Sequence, residues 1–147
     1  MTDKTFFANE FYEKLGTEHP FKLLTDAQNR ANEAGHDFAC TDASSVLDDF
    51  EEEVSELREA LEAEEKDINH IRNEIGDCFF SLINICRVND LDVDGVLEKI
   101  AERWLTRKKY QEDKVKSAGY TWANLPSHES SRFWKEVKHE LKKEEYL

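Results

Sequence analysis

EIGDCFFSLINICRV, residues 74–88, opens on two acids and then runs apolar on every side, broken only by Ser81, Asn84 and Arg87. Its apolar residues, from Ile75 to Val88, lie all round a helical period, which predicts a helix buried over most of its surface. Glu74 and Asp77 stand at i, i+3, one turn apart on one face. A carboxylate beside buried apolar surface is costly unless it is paired, protonated or metal-bound. Gly76 lies between the two acids. Glycine in a helix interior costs about 1 kcal/mol against alanine, and a residue that small admits something close to the backbone. The pair is thus either a hydrogen-bonded polar couple or half of a cation site.

The preceding helix offers the other half. EEEVSEL, residues 51–57, places Glu53 and Glu56 at the same i, i+3 spacing. This helix is expected from a cap at Asp42 or Ser44 to about Glu64, with Leu47, Phe50, Val54, Leu57 and Leu61 as its apolar row. Glu51, Glu59 and Glu62 are ordinary surface acids of its solvated face, and taken alone Glu53 and Glu56 read the same way. A short turn near Lys66 and Asp67 leads into a helix over residues 68–88, so the two helices are expected to pack antiparallel. Glu53, Glu56, Glu74 and Asp77 then converge. Four carboxylates at close range repel one another, and hard divalent cations with oxygen ligands relieve that. Magnesium is the default ion for phosphate chemistry.

A basic row follows. Lys99, Arg103 and Arg107 are spaced i, i+4, i+8 on a helix expected over residues 93–113, and the row drifts toward the apolar face marked by Val96, Ile100 and Trp104. An arginine near an apolar face seeks an anion, either a carboxylate of a neighbouring helix or a phosphate. Beside a metal-binding acid cluster, phosphate accounts for both features.

Around these helices the chain reads as one all-α domain. It has 147 residues, and its few glycines (5) and prolines (2) favour long uninterrupted helices. Further helices are expected over 4–15, over 21–34 ending at Gly35, and over 128–143, with a loop over 36–45. The expected fold is an antiparallel four-helix-type bundle with additional terminal helices, residues 1–20 being an N-terminal extension and 21–147 the functional domain. A net charge of −13 argues against a nucleic-acid partner, which needs a basic stripe. Cys40, Cys78 and Cys86 form no metal spacing and read as reduced thiols. No segment reaches the length of a membrane span, and MTDKTFF lacks a signal-peptide layout. A cytoplasmic protein is the expectation.

EE-x-x-E (Glu52, Glu53, Glu56) followed by E-x-x-D (Glu74, Asp77) resembles the MazG family of all-α nucleoside triphosphate pyrophosphohydrolases. LTDAQNRANEAGHDF resembles the family's first core helix and following loop, VLEKIAERWLTRKKY its basic helix, and SSRFWKEVKHELK a closing helix of some members, so the likeness spans roughly residues 21–143. The resemblance implies that Glu53, Glu56, Glu74 and Asp77 ligate Mg2+, with Mn2+ able to substitute. It implies that Glu52 activates water, as a base or as a further ligand. It also implies that Lys99, Arg103, Arg107 and Asn84 contact the phosphates. The base would lie near Gln28, His36 and Phe38. Phe38 reads equally as a stacking partner or as a core aromatic. The products would be a nucleoside monophosphate and pyrophosphate, and the assembly a homodimer or homotetramer. Asn73, Ala101 and Arg103 depart from the family's commoner residues (Glu, Asn and Lys). These departures leave the metal set intact and bear on phosphate geometry and substrate choice.

Three other readings compete. A dUTP or phosphoribosyl-ATP pyrophosphohydrolase of the same superfamily shares the acidic logic. A di-iron bundle is discounted because neither acidic helix carries the Glu-x-x-His pair such a centre needs. A non-catalytic acidic interaction protein explains the surface charge but not acids beside so apolar a run.

Overall fold

A computed structural model describes residues 6–35 and 43–142. Six helices and no strand occur among these residues: α1 (Ala8–Tyr12), α2 (Pro20–Glu33), α3 (Ala43–Glu62), α4 (Ile68–Val88), α5 (Val93–Ser117) and α6 (Ser127–Leu141). The class is all-α, as the periodicity predicts. The expectations for Asp42, His36, Phe38 and Cys40 fall outside the described residues.

The chain forms two compact units, residues 1–94 and 95–147. In the first, α3 and α4 are an antiparallel hairpin and α2 lies against α4. Asp67 starts α4 by accepting backbone N–H bonds from Asn69 (2.9 Å) and His70 (3.4 Å), satisfying donors that a helix start leaves orphaned. α2 starts at Pro20, one residue before its expected start, with the proline at its first position, and Gly35 at φ +82° lies just beyond its end as expected. Ser44 lies inside α3 rather than capping it.

Burial departs from the expectation on both hairpin helices. On α3 the covered positions are Val46, Phe50, Glu53, Leu57 and Ala60, while Leu47, Val54 and Leu61 are exposed. On α4 the covered seam is Ile71, Glu74, Cys78, Ser81 and Asn84, and Ile83 and residues 85–88 are covered as well. Ile75, Phe79 and Leu82 are 41–48% exposed. Each helix thus has one face turned to its hairpin partner and a second apolar face that the described residues leave open. Periodicity marks both faces as apolar without saying what covers them.

In the second unit α5 and α6 pack together. Gln111, 1% exposed, donates from Nε2 to the Ser130 carbonyl (3.0 Å), and Lys114 pairs with Glu136 and Glu140. Val115, Phe133, Val137 and Leu141 form its core. α5 runs four residues past its expected end at Asp113, to Ser117. No helix among the described residues is long and apolar enough to cross a membrane.

Candidate active site

The hairpin brings the acids of its two helices together. Single ligand atoms from Glu53, Glu56 and Glu74 all lie within 4.8 Å of one another. Glu53 and Glu74 belong to the covered seam, whereas Glu56 is exposed. Asp77 lies outside that tight triad and is exposed, yet its charge acts on Glu53. Burial foremost, and then the charges of Glu56, Asp77, Glu74 and Glu52, hold the Glu53 carboxyl above its usual range. Burial also raises the Cys78 thiol, helped by Glu53, Asp77 and Glu74, so this cysteine stays protonated among the acids.

Glu74 has the most telling surroundings. Its side chain is 12% exposed; Oε1 lies 2.9 Å from His70 Nε2, and Oε2 is buried with no hydrogen-bond partner. A buried bare carboxylate oxygen is unfavourable unless something occupies it. An all-oxygen donor set with one such orphan fits a hard divalent cation. A Cβ at Gly76 meets nothing within 4 Å, so the close approach anticipated there is not made by any described part of the chain.

The other sequence-predicted residues have definite surroundings. Glu52 is exposed on α3 next to Glu53. Asn84 is buried, and its Oδ1 accepts from Arg87 Nε (2.9 Å) and Nη2 (2.7 Å). Gln28, 1% exposed, donates from Nε2 to the Phe80 carbonyl (3.1 Å), leaving its buried Oε1 unpartnered. In the second unit, exposed Lys99 pairs with Glu102 at 3.7 Å, Arg103 Nε is buried without a partner, and the Arg107 guanidinium lies 5.9 Å from the Trp134 ring.

Sequence reasoning missed two features. One is His70, whose i, i+4 spacing to Glu74 was the available signal. The other is Lys108, whose ammonium lies 4.8–5.7 Å from the rings of Trp104, Trp122 and Trp134. Glu-x-x-His spacing occurs at Glu33/His36 and Glu136/His139, on neither of the helices that supply the acidic triad.

The MazG nucleotide pyrophosphohydrolase domain profile matches residues 42–111, which contain both acidic motifs and the basic row. The nucleoside triphosphate pyrophosphohydrolase/pyrophosphatase MazG of Thermotoga maritima is 30% identical over 111 residues, 76% of this chain and 41% of that protein. The chain therefore spans about two fifths of that relative's length. Acid pairs on adjacent helices of an all-α hairpin, the profile match across them and the relative's similarity agree: the chain carries a MazG-family domain.

Proposed function

We propose that this chain hydrolyses (deoxy)nucleoside triphosphates to a nucleoside monophosphate and pyrophosphate, using Mg2+ at Glu53, Glu56, Glu74 and Asp77, with Mn2+ able to substitute. The observation that carries the proposal is the triad of carboxylates within 4.8 Å with a buried, unpartnered Glu74 oxygen among them. When bound, the cation neutralises the triphosphate and screens the repulsion among the acids. Glu52 withdraws a proton from the attacking water or completes the ligand set. Lys99, Arg103 and Arg107 bind phosphate oxygens, for which the unpaired Arg103 Nε is a ready donor. Asn84 has its oxygen engaged by Arg87, so only its amide nitrogen is offered to substrate. Gln28 Oε1, with His36 and Phe38, serves the base. Such chemistry rests on positioning and charge neutralisation and needs no covalent nucleophile.

The functional domain is residues 21–147, in a cytoplasmic homodimer or homotetramer. The open apolar faces of α3 and α4 support that assembly. The test is incubation with Mg2+ and a panel of common and modified nucleoside triphosphates, dUTP and phosphoribosyl-ATP, measuring monophosphate and pyrophosphate. The proposal expects pyrophosphate released intact, and near-complete loss of turnover in Asp77→Asn and Glu74→Gln with helicity retained. Orthophosphate as the sole phosphorus product, or full activity in either variant, overturns it.

A further inference from the structure

A carboxylate that holds a cation is normally itself held, because an oxygen free to swing chelates in several geometries and specifies none. Glu74 shows such an arrangement. His70 Nε2 stands 2.9 Å from Oε1, one helical turn back on α4, and Oε2 is left bare and buried. His70 lies in the capped first turn of α4, where its backbone N–H bonds the Asp67 side chain (3.4 Å). Oε1 faces the imidazole, and Oε2 is the buried oxygen without a hydrogen-bond partner. We infer that His70 is a positioning residue for the cation site: its imidazole, 2.9 Å from Oε1, holds the Glu74 carboxylate in the orientation seen here, in which Oε2 is unpartnered.

This rests on the reading of Glu53, Glu56 and Glu74 as cation ligands. The His70 side chain is 55% exposed, so a replacement of similar size fits without repacking. An ordinary i, i+4 helix pair would look alike in distance but would touch only helix stability. What separates the two is the effect on the ion.

Mn2+ is the probe, followed by isothermal titration and by the electron paramagnetic resonance line shape of the bound ion. His70→Phe keeps a ring and removes the donor. His70→Gln keeps an amide N–H at similar reach. The expected result is Mn2+ binding weakened about 10–100-fold in His70→Phe, with an altered line shape, most of the affinity restored in His70→Gln, and a melting temperature in chelator close to wild type for both. Wild-type affinity in His70→Phe overturns the inference, as does His70→Gln binding as weakly as His70→Phe. Failure of the underlying site reading is distinguishable: the wild type then binds no Mn2+, or Glu74→Gln binds it as well as the wild type.

Discussion

Glu53→Gln should stabilise the metal-free protein while abolishing its response to metal. Glu53 sits among like charges, with ligand atoms of Glu56 and Glu74 within 4.8 Å. At 4.8 Å two unit charges repel by about 0.9 kcal/mol in water and by about 3.5 kcal/mol at an effective dielectric of about 20. The group is partly exposed, so screening keeps the true value near the aqueous limit. Removing two such repulsions gives about 2 kcal/mol, or roughly 4–8 °C in melting temperature for a chain of this size. The amide keeps the volume and loses only the charge. The assay is thermal unfolding by circular dichroism in chelator and again in excess Mg2+. Wild type should gain stability with Mg2+, whereas Glu53→Gln should start higher and gain little. A destabilised metal-free variant would refute the repulsion. A variant that Mg2+ stabilises as fully as wild type would remove Glu53 from the ion's ligands.

Three further outcomes follow from the same structure. The raised Glu53 pKa means that the folded protein holds this proton more tightly than the unfolded chain, whose value is near 4.5. That contribution to stability is full below the unfolded value and is lost as pH rises through the raised folded one, so the melting temperature in chelator should climb on acidification through that window, less so in Glu53→Gln. Arg107→Ala should cost about 2–3 kcal/mol in kcat/KM, with Arg107→Lys recovering part of it; because Arg107 also lies over Trp134, a variant that loses stability but keeps kcat/KM would remove its phosphate role. Leu82→Glu, on the open face of α4, should shift the protein to monomer in sedimentation equilibrium, and an unchanged assembly would place the interface elsewhere.

Helix α4 was legible to the residue, because an apolar run that follows a short turn near Lys66 and Asp67 has few alternatives. The convergence of Glu53, Glu56 and Glu74 was legible too, since i, i+3 acids on two helices joined by a short turn have few other places to go. The covered side of α3 was not. Leu47, Val54 and Leu61 repeat at heptad spacing as convincingly as Val46, Phe50, Leu57 and Ala60, and periodicity cannot rank two apolar faces of one helix. The engagement of Asn84 by Arg87 escaped because it depends on side-chain rotamers within a turn, and any polar residue near acids reads as a ligand contact. Lys108 escaped because Trp122 and Trp134 lie on different elements, whose convergence on α5 no local spacing announces.

That convergence has an optical consequence. All three tryptophans of the chain surround one ammonium within the second unit, and the first unit contains none. Tryptophan emission is therefore a private signal of residues 95–147, whereas far-ultraviolet ellipticity is dominated by helices of both units. If the two units unfold as one cooperative body, the two signals trace the same curve; if they unfold separately, the emission curve dates the second unit and the difference between the curves dates the hairpin that carries the acids.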